Sequence, residues 1–150
     1  MIEVVVVIMI VAILAAMVAP RYSGSISQYH VTAAARKVAA DLAYTQARAR
    51  AVSTTRTISF GVTGSSAGTT ANTYQILSEI DPTFPNSVYT VDLSTSPYLA
   101  SITLANFSGA ATVSFNGFGI PSGSGSIVLQ SGTATSTLTL DGTSGTVSIQ

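Results

Sequence analysis

The chain opens with a long apolar run. From Val4 to Ala19, sixteen consecutive residues carry no polar side chain, and Pro20 follows the run. As an α-helix rising ~1.5 Å per residue, the run would be about 24 Å long, short of the ~30 Å hydrocarbon core of a bilayer unless preceding residues extend it. It predicts a membrane helix at the start of the sequence. A secretory signal peptide is the main alternative, but acidic Glu3 stands where such a peptide needs basic residues.

A break and a second helical segment follow. Pro20 removes an amide donor and Gly24 lowers helix stability, so a kink is predicted near them. From Gln28 onward, an alanine-rich segment repeats its apolar positions at spacings of three and four, as an amphipathic helix does. The stripe comprises Val31, Ala35, Val38, Leu42, Thr45, Ala49 and Val52. We expect this stripe to pack against the rest of the protein rather than form an intermolecular coiled coil, with Lys37 and Asp41 paired one turn apart.

Beyond Ser53 the apolar period changes from about 3.6 residues to two. Short stretches rich in Val, Ile, Thr, Tyr and Phe alternate there with turn residues, which predicts antiparallel strands. The predicted strands are ISFGV, TYQIL, SVYTVDL, SITLANF, ATVSFN, SIVLQ, STLTLD and GTVSIQ. The clearest hairpin is the last, in which Leu138 and Leu140 precede a turn at Asp141-Gly142 and Val147 follows it.

Two connections are rich in glycine and small polar residues. Residues 116–125, NGFGIPSGSG, contain four glycines and a proline, and they predict a loop or wide turn. Residues 63–72 have a similar composition and predict a long, mobile connection.

Composition limits the chain to one domain and few kinds of chemistry. Its 150 residues leave little room for a second core. Only 8% of the residues are charged. None is cysteine, and this excludes disulfides, thiol catalysis and thiolate metal sites. The uncharged, hydroxyl-rich surface that remains suits close packing against neighbouring molecules.

The charges are unevenly distributed although the net charge is zero. All six cations lie in the first 56 residues, and no Lys or Arg follows Arg56. A nucleic-acid-binding face on the predicted sheet domain would therefore lack any permanent cation, and nucleic acid is not expected as a partner. Arg48, Arg50 and Arg56 are the cations that would have to carry such binding.

No residue pattern indicates an enzyme. His30 is the only histidine, and a lone histidine at the start of a helix is more often a surface residue than a base. Glu79 and Asp81 are two acids beside a predicted turn, with no further metal ligands nearby. We expect no catalytic residue, metal, cofactor or small-molecule substrate.

The order of these features resembles the type IV pilin and pseudopilin superfamily. The N-terminal segment IEVVVVIMIVAILAAMVAP is similar to that family's N-terminal segment along its whole length. The helix RKVAADLAYTQARARAVS, the strand ISF, the late FNGFGIPSGSG and the final LTLDGTSGTVSIQ resemble the H-type minor pseudopilins of type II secretion and related minor pilins. The resemblance also implies a basic leader and two mature residues before Met1, together with leader cleavage and N-terminal methylation.

The resemblance implies an α+β fold in which a long, kinked N-terminal helix packs on a C-terminal antiparallel sheet domain. We divide the chain into an apolar membrane or filament-core helix at 1–27, an amphipathic helix at 28–54 and a β domain at 55–150. The resemblance makes Glu3, Pro20 and Gly24 candidate assembly residues. In the family, the acid matching Glu3 compensates the N-terminal amine of a neighbouring subunit during assembly. A carboxylate inside hydrocarbon needs such a partner or an interface, because alone it costs about 2.5–3.5 kcal/mol at mid-membrane.

The predicted function is that of a structural subunit of a type IV pilus-like helical filament, a homo-oligomer built through the apolar helix. The resemblance implies an inner-membrane assembly platform and an ATPase as partners. It also implies an inner-membrane anchor for the monomer and an extracellular or periplasmic location for the filament. Three alternatives remain open at this point: a minor pseudopilin of a type II secretion system, a DNA-uptake minor pilin, and an ordinary single-span membrane protein with a β ectodomain.

Overall fold

The structure, a computed structural model, describes residues 2–61 and 71–150, without the side chains of residues 16–23. A single helix, α1, runs from Ile2 to Val52, and eight strands follow it. The strands are β1 (Arg56–Phe60), β2 (Thr73–Ile80), β3 (Val88–Asp92), β4 (Ser101–Phe107), β5 (Thr112–Phe115), β6 (Gly125–Ser131), β7 (Ala134–Leu140) and β8 (Val147–Ile149).

The strands form two antiparallel sheets. The first has the order β3-β2-β1-β5 and the second the order β4-β6-β7-β8. In the first sheet, Ile58 lies between Ile76 on β2 and Val113 on β5, so one face carries a row of apolar side chains. The period-two pattern of the sequence produces this face, because alternate side chains of a strand point the same way.

One hydrophobic core joins α1 to both sheets. Six of the seven residues of the predicted helical stripe are buried, and the seventh, Val52, is half-buried. Phe60 lies between Tyr74 and Phe107, with ring centroids 5.6 and 5.5 Å away. The stripe therefore packs on the protein's own sheets, as predicted.

The predicted α+β class and all eight predicted strands are confirmed. The C-terminal hairpin also has the predicted form, with Leu138 opposite Ile149 and Leu140 opposite Val147. Residues 116–124 form the predicted connection, and Gly125 already belongs to β6. The prediction of a mobile connection falls mainly on residues 62–70, which lie outside the described residues.

The two predicted helical segments belong to one continuous helix that includes Pro20 and Gly24. A bend of the helix axis near these residues, and the boundary between segments 1–27 and 28–54, stay predictions. Within the described residues, no helix meets the length and hydropathy that a membrane-spanning segment requires.

Candidate assembly site

The first thirteen residues of α1 present apolar side chains to solvent, with Glu3 the one exception. We call Ile2–Leu14 the stem. Its large apolar side chains are between 49% and 78% exposed, whereas the same helix is buried on one face from Val31 onward. Isolated exposed apolar residues are ordinary on protein surfaces, but a continuous patch of this kind indicates a surface that another molecule covers.

The structure places the three predicted assembly residues along one helix without bringing them together. Glu3 is exposed in the first turn of α1. Gly24 is exposed too, and a Cβ added there would meet no atom within 4 Å. The side chain of Pro20 lies outside the described part. Because about 1.5 Å of helix separates successive residues, Glu3 and Gly24 are ~32 Å apart, and each would act on a different part of a neighbour.

We call Val31–Val52 the packed half of α1, and a largely buried polar cluster attaches it to the first sheet. Asp41 is only 7% exposed, and both of its carboxylate oxygens accept hydrogen bonds. Lys37 Nζ donates to Oδ1 at 2.8 Å, and the Tyr74 hydroxyl on β2 donates to Oδ2 at 2.6 Å. Lys37 Nζ also donates to the Tyr89 hydroxyl on β3 at 2.8 Å. We call these four residues the anchor cluster; through them α1 holds two neighbouring strands.

The anchor cluster shifts the ionisation of two of its members. Burial raises the pKa of Tyr74 strongly, and the adjacent Asp41 carboxylate raises it further because an ionised phenol would face a negative charge. Burial lowers the pKa of Lys37, but hydrogen bonds to Asp41 and Tyr89 and the attraction of Asp41 outweigh it, so that pKa rises overall. The neutral phenol and the charged ammonium are thus the stable forms in the folded chain.

These shifts predict that stability is lost at alkaline pH. Below the ordinary Tyr pKa of 10.0, Tyr74 is protonated in both the folded and unfolded chain, so its contribution is fully present. Above it, the unfolded chain releases the proton and the folded chain keeps it, so the free energy of unfolding falls by about 1.4 kcal/mol per pH unit. Lys37 acts with the same sign. Urea unfolding between about pH 8 and about pH 12 should show this fall, and Tyr74→Phe should remove the tyrosine share of it.

The acids singled out in the sequence have local structural partners. Glu79 accepts a hydrogen bond from Arg48 Nε at 3.1 Å and lies 3.5 Å from Arg56 Nη1. Asp81 instead accepts the amides of Thr83 and Phe84 within its own turn. Across residues 2–61 and 71–150, no group of three or more His, Cys, Asp or Glu residues is placed to hold a metal ion.

His30 fixes a loop beside the helix. Its Nδ1 lies 2.6 Å from the carbonyl oxygen of Pro97, in the connection between β3 and β4. This contact gives the lone histidine a structural partner and places that connection beside the start of the packed half of α1.

Sequence reasoning found only half of the anchor cluster. The Lys37–Asp41 pair follows from the helical spacing of four residues. Tyr74 and Tyr89 escaped notice because each looks like an ordinary strand aromatic. The available signal was a tyrosine on the apolar face of a predicted strand, since a buried phenol needs a hydrogen-bond partner and Asp41 is the acid on the facing helix.

The comparisons with known proteins agree with this architecture. A family model described as Type II transport protein GspH matches residues 34–145, which is three quarters of the chain. The chain belongs to the GspH family. The matched range holds the packed half of α1 and seven of the eight strands, and it begins after the stem. The comparison with characterised protein sequences gave no match.

A solved structure shares the fold of this GspH-family chain. The crystal structure of the type IV minor pilin FimU of Pseudomonas aeruginosa matches with a TM-score of 0.54 and 14% sequence identity. The match covers 80% of this chain and 86% of that one. At this identity the likeness establishes the fold, a pilin-like helix packed on an antiparallel sheet domain. The predicted superfamily and its H-type subgroup are confirmed, and both comparisons lead to structural pilin-type proteins rather than known enzymes.

Proposed function

We propose that this GspH-family protein is a structural subunit of a type IV pilus-like helical filament and assembles through its stem. The main support for this proposal is the exposed apolar surface of the stem. A helix with this apolar surface is stable in lipid or among other apolar helices. Exposing it to water is unfavourable, because moving each large aliphatic side chain out of water lowers the free energy by about 1.5–3 kcal/mol. In this proposal the stem lies in the inner membrane before assembly and in the filament core afterwards.

In this proposal, Glu3 sets the axial register between neighbouring subunits of the filament. It is the only charged side chain in the apolar N-terminal segment up to Ala19. A carboxylate carried into a helical core needs a cationic partner, and in pilin assembly that partner is the N-terminal amine of a neighbouring subunit. Pro20 and Gly24 would allow the helix to bend where the stem leaves the packed half. An assembly platform and an ATPase in the inner membrane would drive the exchange of lipid for neighbouring helices.

A minor pseudopilin of a type II secretion system is the second candidate. The description of the matching family, Type II transport protein GspH, favours it. Chemistry does not separate it from the first, since a minor subunit would enter a filament through the same stem. The two differ in copy number, and the proportion of this chain in purified filaments distinguishes them.

The DNA-uptake alternative loses support from the structure. Of the three cations that would have to bind phosphate, Arg48 and Arg56 both lie against the Glu79 carboxylate. Arg50 Nε donates to the carbonyl oxygen of Phe118. One carboxylate offsets at most one of these three charges, and no Lys or Arg follows Arg56. So few cations release few counterions on binding a polyanion, and affinity for DNA should be weak at moderate salt.

The test of the proposed function is Glu3→Ala in the full chain. We expect a folded, membrane-held subunit, because the stem keeps its apolar surface. This subunit should assemble poorly, because it lacks the carboxylate that pairs with a neighbouring subunit. Sheared surface material examined by electron microscopy, with the subunit quantified by mass spectrometry, measures assembly. Asp141→Ala is the matched control, since Asp141 is an exposed acid on the β7–β8 turn far from the stem. Normal assembly of Glu3→Ala would remove the register role.

A further inference from the structure

Two loops of the β domain hold large apolar side chains in solvent. They are the β2–β3 hairpin end, residues 80–88, and the first part of the β5–β6 connection, residues 116–121, and we call them the tip loops. Three of the five phenylalanines are buried in the core, whereas Phe84 is 66% and Phe118 83% exposed. Ile80 and Ile120 are exposed in the same two loops. The tip loops are therefore a second exposed apolar region, separate from the stem.

Both tip loops leave the same end of the first sheet. β1 lies between β2 and β5, and its first residue, Arg56, is opposite Phe115 at the end of β5. Arg56 also donates to the carbonyl oxygen of Ser78, near the end of β2. Two strand spacings, or ~10 Å, therefore separate the points at which the loops leave the sheet. The two exposed phenylalanines thus belong to one end of the β domain.

This end of the β domain lies far from the stem. Arg50, in the last turn of α1, donates through Nε to the carbonyl oxygen of Phe118 at 3.1 Å, so the tip loops are at the C-terminal end of the helix. About 57 Å of helix separates Leu14, at the end of the stem, from Val52, where α1 ends. With α1 upright in a membrane, the tip loops therefore point away from the bilayer that holds the stem.

The backbone groups around both phenylalanines are paired within the protein. Asp81 Oδ1 accepts the Phe84 amide at 3.1 Å, and the Phe84 carbonyl oxygen accepts the Ser87 amide at 2.9 Å. Asn116 Oδ1 accepts the Phe118 amide at 3.0 Å, and α1 pairs the Phe118 carbonyl oxygen. A backbone amide without a partner is strongly unfavourable in an apolar phase. These two residues therefore meet the main requirement for entering one.

The charges at this end of the protein balance. The β7–β8 turn belongs to it, because Gln46 donates to the carbonyl oxygens of Gly119 and Ser144, both at 2.8 Å. The charged side chains here are three arginines and three acids: Arg48, Arg50, Arg56, Glu79, Asp81 and Asp141. A surface with balanced charge has little preference for an anionic bilayer over a neutral one. Its exposed apolar side chains are then what it offers to a partner.

We propose that the tip loops insert into a zwitterionic lipid surface, a second bilayer facing the one that holds the stem, with Phe84 and Phe118 as the side chains that enter it. Aromatic side chains suit the boundary between headgroups and acyl chains. A protein partner would add about one hydrogen bond per 100–200 Å² of interface, whereas the backbone groups of both phenylalanines are already paired. The inference goes beyond the proposed filament function and does not depend on it, because one copy carries both loops.

Tryptophan quenching in the full chain tests the insertion, because the protein has no tryptophan of its own. Phe118→Trp is held by its stem in a nanodisc of ordinary phosphatidylcholine and mixed with separate vesicles of phosphatidylcholine that carries bromine on its acyl chains. Its emission should shift to shorter wavelength and be quenched. Tyr44→Trp, at an exposed position on α1 away from the tip loops, is the matched control and should keep its emission. Equal quenching of the two variants, or none in either, would overturn the inference.

Vesicle flotation with a second variant set separates this inference from the proposed function. Phe84→Ser/Phe118→Ser in nanodiscs should bind phosphatidylcholine vesicles at least about tenfold more weakly than the parent chain. Tyr29→Ser/Tyr44→Ser, which removes two exposed aromatics elsewhere on α1, should bind as the parent does. Parent binding should persist at about 1 M salt, and binding confined to anionic vesicles and lost in salt would overturn the inference by assigning it to the arginines.

Filament assembly is a separate readout of the same variants. Phe84→Ser/Phe118→Ser keeps the whole stem, so filaments seen by electron microscopy together with lost vesicle binding are the expected result. Vesicle binding equal to that of the parent would overturn the inference and leave the filament function standing. Failure of the filament function in the Glu3→Ala test would leave lipid binding by the tip loops unaffected.

Discussion

Asp41→Asn should destabilise the folded chain by about 3 kcal/mol. The variant keeps the size of the side chain and removes its charge. One of its two terminal atoms becomes an amide nitrogen, which faces a donor: either the Lys37 ammonium or the Tyr74 hydroxyl. A partly buried ammonium, on a side chain 28% exposed, then lacks its counter-charge, and losing one partner of such a pair costs more than the intact pair contributes. Urea unfolding of the full chain in detergent, followed by tyrosine circular dichroism, measures the loss.

Asp92→Asn is the control for this experiment. Asp92 is an exposed acid whose carboxylate accepts from Ser94, and an asparagine oxygen accepts the same hydrogen bonds. The control should therefore stay within about 0.5 kcal/mol of the parent chain. Equal effects of the two substitutions would mean that the anchor cluster contributes no more than a surface turn. The loss of unfolding free energy in Tyr74→Phe should lie between those of the two aspartate variants, because this substitution removes one neutral donor and leaves the ion pair intact.

Much of the fold was predictable because each segment has a single dominant period. The stripe from Val31 to Val52 repeats at helical spacing over six turns, and no competing period occurs in it. The hairpin at Asp141-Gly142 was equally clear, since alternating Leu138 and Leu140 lead directly into a turn dipeptide. Local chemistry and long-range packing favour the same structure in both places.

The division into two sheets was not predictable in the same way. Strand order depends on which apolar faces meet, and the short strands offer similar alternations of Val, Ile and Thr. β1 pairs with β5 rather than with β4, and nothing local to Thr112–Phe115 distinguishes these partners. The exposure of Phe118 escaped prediction for a related reason. A phenylalanine in a glycine-rich loop belongs to no apolar period, and the structure shows this one 83% exposed, with its backbone held by Asn116 and Arg50.

Val11→Asp should abolish assembly of the full chain. Val11 lies near the middle of the apolar run and is 58% exposed in the isolated subunit. An aspartate at the centre of a membrane helix costs about 3 kcal/mol, which corresponds to a factor of about a hundred in partitioning. The same carboxylate in a core of packed stems would have no cation beside it. The side chain is too short to reach the interface, so neither the membrane nor the filament offers it a favourable position.

The matched substitution is Val11→Leu, which keeps the apolar character and should leave assembly unchanged. Membrane fractionation and cross-linking through a cysteine introduced in the stem, Val7→Cys, distinguish the two stages at which Val11→Asp fails. A variant lost from the membrane fraction fails at insertion, whereas one retained there without stem cross-links fails at the exchange of lipid for neighbouring helices. Normal filaments from Val11→Asp would show that the stem remains accessible to water after assembly. The exposed apolar surface of α1 would then need a partner other than neighbouring stems.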